Sequence, residues 1–147
     1  MPITDEHILI HRAPQEVYDR VIDLESQKTW ERTIVSAEPV GGSWEARPGL
    51  EIDYVLKAGA VKLKARTRVI DLEAGHSGTY ELTGAMGTVR GAYICEPHPE
   101  GTLFTHHVET QPSGVLRDTF ARLTMPMFRR QIRAGLQNLR DELEHQG

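Results

Sequence analysis

A chain of 147 residues and 16.5 kDa suffices for one domain, residues 1–147, that buries roughly two-thirds of its unfolded surface, and is short for two. With 17 basic against 21 acidic residues the net charge is -4, so no global field draws the chain to phosphate backbones or anionic lipid, and nucleic acid is not expected as a partner. Apolar residues at 39% and charged residues at 26% describe a folded globular protein, and the single cysteine, Cys95, excludes an intrachain disulfide and a four-thiolate zinc site.

The opening MPITDEHILIHRAP lacks a basic segment followed by an apolar one, and no apolar run reaches about 18 residues, so a cytoplasmic protein without a membrane span is expected. Residues 3–11 set Ile8 and Ile10 against His7, Leu9 and His11, the alternation of a strand. The period then lengthens. Val17, Tyr18, Val21 and Ile22 recur at helical spacing and Pro14 stands where a first turn tolerates a missing N–H, which predicts a helix over 14–23. One more short turn is expected over 25–29, before Trp30.

From Arg32 to Gln111 the chain is punctuated at GG, RPG, AGA, EAGHSG, GAMG and PHPEG, about 8 to 15 residues apart, which predicts six further strands in antiparallel hairpins. In VKLKARTRV, Val61, Leu63, Ala65, Thr67 and Val69 alternate with Lys62, Lys64, Arg66 and Arg68, so the sheet has one dry face and one wet one. The basic row is read as that solvated outer face.

Residues 113–145 are helical with two apolar stripes. Leu116, Phe120, Leu123 and Met127 form one; Met125, Phe128, Ile132, Leu136, Leu139 and Leu143 form another, displaced by roughly 150° on the helical wheel. Pro126 falls at the change of phase, which predicts a kink or break over 124–126 and then a helix of about 20 residues whose stripe covers the dry face of the sheet. Such a helix, about 30 Å long, laid across a curved sheet can leave an apolar cavity beneath it.

Three stretches, IHRAPQEVYDRVIDLESQKTW, EPHPEGTLFTHHVE and FRRQIRAGLQNLRDELE, together resemble the START/Bet v 1-like (SRPBCC) superfamily, in particular its polyketide cyclase/dehydrase and lipid-transport branch. The match lies in a strand leading into Ala-Pro-x-x-Val-Tyr, a tryptophan after the first helix, Gly-Thr opening the last strand and a basic amphipathic terminal helix. The resemblance implies an α+β helix-grip fold. A seven-stranded curved antiparallel sheet would surround the long C-terminal helix, with two short helices between strands 1 and 2. It also implies a cavity beside Trp30, while the superfamily spans carriers, receptors and aromatase/cyclases, so the chemistry depends on the lining.

Strand parity divides GTLFTHHVET: Phe104, His106, Val108 and Thr110 face inward, and Thr105, His107 and Glu109 outward. Two imidazoles on opposite faces cannot chelate one ion, so no metal is expected. Parity also sends Leu50, Ile52, Tyr54 and Leu56, Tyr80 and Leu82, and Tyr93 and Cys95 inward. Three phenols and one imidazole around an apolar chamber suit a ligand with a few oxygen atoms. No phosphate loop, dinucleotide fingerprint, HExxH or GxSxG occurs, and no cofactor is expected. An aromatase/cyclase would place charge inside to polarise a carbonyl, whereas parity places almost none there.

The expectation is therefore binding of a small hydrophobic, amphipathic or aromatic ligand, with room for a homodimer. Trp30, Tyr54, Tyr80, Tyr93 and His106 are its polar or aromatic contacts, and Phe128, Ile132 and Leu136 its apolar wall. The rival is a polyketide cyclase/dehydratase-type enzyme with His106 as acid/base and a tyrosine donating to a developing enolate. A third reading is an interaction module whose cavity is residual.

Overall fold

The structure, a computed structural model, describes residues 3–58, 60–84, 87–112 and 115–145, leaving aside the side chains at 58, 111 and 112 and 115–127. Seven strands make one antiparallel sheet in the order β1-β7-β6-β5-β4-β3-β2. They are β1 (Ile3–Ile10), β2 (Ile34–Pro39), β3 (Glu51–Ala58), β4 (Val61–Glu73), β5 (Ser77–Gly84), β6 (Gly87–His98) and β7 (Gly101–Pro112). Hairpins join β3 through β7 in sequence, as the short connections require. The chain's first strand closes beside its last, while β2 holds the opposite edge.

Helix α1 (Pro14–Val21) starts with Pro14 in its first turn after an extended Ala13, and buries Val17, Tyr18 and Val21 on one face. A 3₁₀ turn over Leu24–Thr29 follows and delivers Trp30, wholly buried, to the core. Helix α2 (Val115–Glu144) runs unbroken for 30 residues. Of the kink or break expected over 124–126, the break is therefore corrected: Pro126 removes one backbone donor, and the helix continues past it. The side chains of the stripe Leu116, Phe120, Leu123 and Met127, and of Met125 in the other, lie outside those described. The remainder behaves as its period dictates. Ile132, Leu136, Leu139 and Leu143 are buried and Phe128 is half-buried.

Polar contacts fix this half of α2 to the rest. Asn138 Nδ2 donates to the Trp30 carbonyl at 3.1 Å, Arg20 pairs with Glu142 at 2.6 Å, and Arg133 reaches Glu6 on β1 at 2.8 Å. Gly135 matters at the same place, because a Cβ there would stand 3.1 Å from the Glu31 carboxylate and 3.7 Å from the Trp30 carbonyl. The wet face of the sheet carries the expected charges. Arg66 forks onto Asp53 at 2.7 and 3.1 Å, and Arg90 bonds Glu81 at 2.9 Å. No helix among the described residues is long and apolar enough to cross a membrane.

Candidate functional site

The buried residues form two clusters rather than one. Ile10, Val17, Trp30, Phe104 and Val108 pack with the stripe of α2, whereas Ile34, Leu50, Ile52, Tyr54 and Val69 pack across β2, β3 and β4. Between them lies a cavity of about 160 Å³, bounded by α1, the 3₁₀ turn, the inner face of the sheet and Phe128, Gln131 and Ile132 of α2. One ordered water needs only about 10–15 Å³ on the same footing, so the space suits an organic ligand.

Six of the eight residues expected at the site line this cavity: Tyr54, Tyr80, Tyr93, His106, Phe128 and Ile132. Trp30 and Leu136 do not. Trp30 stands behind Tyr93, its ring edge-on at 6.1 Å and 77°, and Leu136 belongs to the cluster beneath α2. The register of β7 is regular against both neighbours, so the two histidines do alternate: His106 is buried, and His107 sits half-exposed between Asp5 and Glu109 on the outer face.

The polar wall is built from hydrogen-bonded neutral groups. Tyr54 Oη donates to Gln27 Oε1 at 2.9 Å, Gln27 Nε2 donates to Tyr93 Oη at 3.0 Å, and Tyr80 Oη shares a 2.8 Å bond with His106 Nε2. Ring contacts join these pairs into one row: Tyr93 stacks on Tyr80 at 5.4 Å, on Phe104 at 5.9 Å and lies 4.5 Å from the His106 ring. Tyr80 reaches that row across Gly91, its register partner on β6, where a Cβ would overlap the phenol ring.

Burial sets the charge state of each group. It pushes the three phenols well above their ordinary range, and pushes His106 down to about 3, with His107 beside it adding to the effect. Near neutral pH the whole row is uncharged. Burial likewise raises the Cys95 thiol to about 12, which leaves it an inert part of the wall.

Strand parity says nothing of wall residues off the strands, among them Tyr18 on α1, Gln27 in the 3₁₀ turn and Glu31 just after it. Glu31 corrects the expectation of an interior almost without charge. Its carboxylate accepts from Thr33 Oγ1 at 2.9 Å, and burial raises its pKa against the lowering pull of the Thr33 hydroxyl and N–H. A sequence signal for Gln27 and Glu31 exists in their spacing with Trp30, which places all three on one side of a helical turn.

The adjacent histidines have opposite pH signatures. Folded His106 refuses a proton that the unfolded chain accepts, so the stability it contributes is full above about 6.5 and is lost as the pH falls toward about 3. Asp5 and Glu109 raise the pKa of His107, so its contribution is full below about 6.5 and is lost as the pH rises through the folded value. Denaturant unfolding across pH should therefore show a weaker acid loss in His106→Gln and a weaker alkaline loss in His107→Gln. The second effect is expected to be the smaller, because His107 is half-exposed. Identical acid limbs for wild type and His106→Gln would refute the assignment.

A curved seven-stranded antiparallel sheet closing on a C-terminal helix, with a cavity between them, defines a Bet v 1-like helix-grip protein. The family model described as polyketide cyclase / dehydrase and lipid transport matches residues 1–144, and the chain belongs to that family. A protein of Thermus thermophilus is similar in structure at a TM-score of 0.79 and 19% identity, covering 99% of this chain and 100% of that one. The Zhui aromatase/cyclase from a Streptomyces species is similar at 0.79 and 14%, covering 97% and 93%. Ara h 8.0201 is similar at 0.67 and 14%, covering 94% and 97%. At these identities the likeness is one of fold. No curated protein matches the sequence closely enough to count as a relative.

Proposed function

We propose that the protein binds a small hydrophobic or amphipathic ligand in the cavity between the sheet and α2. The observation that carries this reading is the cavity wall itself, apolar over most of its extent and crossed by one row of uncharged hydrogen-bonding groups. Apolar burial supplies the affinity, at about 25 cal/mol per Å² before the costs of association. Tyr54, Tyr80, Tyr93 and His106 orient the polar end of the ligand. Phe128 and Ile132 provide the apolar wall, with Trp30 and Leu136 backing it from behind.

The cyclase/dehydratase reading draws support from the family and from the fold of the Streptomyces enzyme. It meets a physical obstacle in His106, because a general acid/base works best with a pKa near the operating pH and burial holds this imidazole at about 3. Under that reading His106→Ala abolishes turnover; under the binding reading it changes affinity alone.

Titration with the neutral apolar dye Nile red tests the proposal. Wild type should bind it with a blue-shifted, enhanced emission, and Leu82→Trp, which fills the cavity from β5, should weaken binding by about tenfold or more while keeping its circular dichroism. Equal binding by a folded Leu82→Trp would place the dye elsewhere and remove the support.

A further inference from the structure

Glu31 gives the cavity a sign. It is the one carboxylate on the described wall, and no described lysine or arginine lines the cavity with it. Its described partners are the Thr33 hydroxyl and N–H, both neutral donors, and it stands in none of the ion pairs among the described residues. The described cations lie elsewhere. Arg66 and Arg90 are occupied by carboxylates on the outer face of the sheet, Arg20 and Arg133 clamp α2 from outside the cavity, and Arg129 and Arg130 are exposed. Glu31 is half-buried, and a carboxylate drawn out of water is costly unless a cation or several donors compensate it. Here the fold brings one hydroxyl and one N–H, both from Thr33, and no cation, while the residue lines the cavity.

The rest of the wall agrees with that sign. Tyr80 and Tyr93 line the same space, and a phenol oxygen keeps acceptor capacity besides the bond it already makes. Tyr54 has its proton committed to Gln27, which leaves its oxygen as an acceptor, and Gln131 of α2 adds an amide whose carbonyl can accept. Gly135 leaves the helix backbone close against the carboxylate without a side chain to displace it.

We propose that the cavity selects ligands bearing a protonated amine on an apolar body, that Glu31 is the residue that recognises the ammonium group, and that carboxylate ligands are excluded by it. This rests on the reading that the cavity holds a small amphipathic ligand. Specificity then has both an attractive and a repulsive part, from one side chain.

Three probes of equal size test it: naphthylethylamine, naphthylethanol and naphthylacetic acid, titrated by calorimetry near neutral pH and low salt. Wild type should prefer the amine to the alcohol by about tenfold or more, as a hydrogen bond to a charged group implies, with the acid weakest. In Glu31→Gln the amine and the alcohol should fall within about twofold of each other, while affinity for the alcohol persists and shows the cavity intact. Glu31→Asp, which keeps the charge, should keep the order of preference. An acid that binds wild type as well as the amine, or an amine preference that survives in Glu31→Gln, overturns the proposal. If Nile red binds and none of the three probes does, the Glu31 assignment falls alone. If neither the dye nor any probe binds, the cavity reading falls and this proposal with it.

Discussion

Replacing Trp30 with alanine is expected to cost about 3–5 kcal/mol of folding stability, the range for removing a large buried aromatic ring. Trp30 is wholly buried, and its surroundings cannot close over its absence cheaply. Its ring edge abuts Tyr93, which is itself stacked against Tyr80 and Phe104; its carbonyl receives Asn138, and Gly135 of α2 lies beside it. A void there sits at the junction of the 3₁₀ turn, the sheet and α2. For a domain whose whole stability is typically about 5–15 kcal/mol, the loss is a large fraction. Urea unfolding should show a lower midpoint at an unchanged slope. Phenylalanine should recover most of the difference, since the Trp30 indole N–H has no acceptor among the described residues and losing it forfeits no hydrogen bond. A loss below about 1 kcal/mol for alanine would mean that the neighbours collapse into the space and that Trp30 does not anchor the junction.

The elements most readable from the sequence are those whose period is enforced by one dry face. β4 announces itself through Leu63 to Val69, Val61 at its end being exposed, and β7 through Phe104, His106 and Val108, because a regular strand cannot turn neighbouring side chains to the same side. That rule alone separates His106 from His107. It says nothing of residues between strands, and so Gln27 and Glu31, which complete the polar wall and give it charge, escape it. Of the kink or break expected at Pro126, the break fails for a different reason. The local penalty of one lost donor is outweighed by the cooperative hydrogen bonding of a helix of 30 residues. Trp30, expected at the cavity by likeness, stands one layer behind it, where ring packing, which no local sequence pattern specifies, decides its place.

Gly91→Ala is the second large effect, and its sign runs against ordinary expectation. Within a strand, alanine normally outperforms glycine by roughly 0.5–1 kcal/mol, because it restricts the unfolded chain more. At Gly91 the added methyl would enter the Tyr80 ring that lies over this position from β5. β6 is held on both sides, by β5 and by β7, so the backbone cannot simply retreat. Tyr80 must leave its rotamer instead. It then gives up the 2.8 Å bond to His106 and the stacking on Tyr93, and His106 Nε2 remains buried without its partner. Overpacking costs about 1–3 kcal/mol and an orphaned buried ring nitrogen about the same again, so a loss of about 3 kcal/mol or more is expected. A double-mutant cycle isolates the cause. Tyr80→Ala removes the ring that the methyl strikes, so the pair should be less destabilised than the sum of the single variants, by about 1–3 kcal/mol. Gly78→Ala is the control on the neighbouring strand, where the methyl would meet only the end of the Leu72 side chain at 3.2 Å, and should cost far less. If Gly91→Ala proved neutral, or if its cost added to that of Tyr80→Ala without coupling, the glycine would not be what lets Tyr80 reach His106. The polar wall of the cavity would then owe its shape to something other than that close approach.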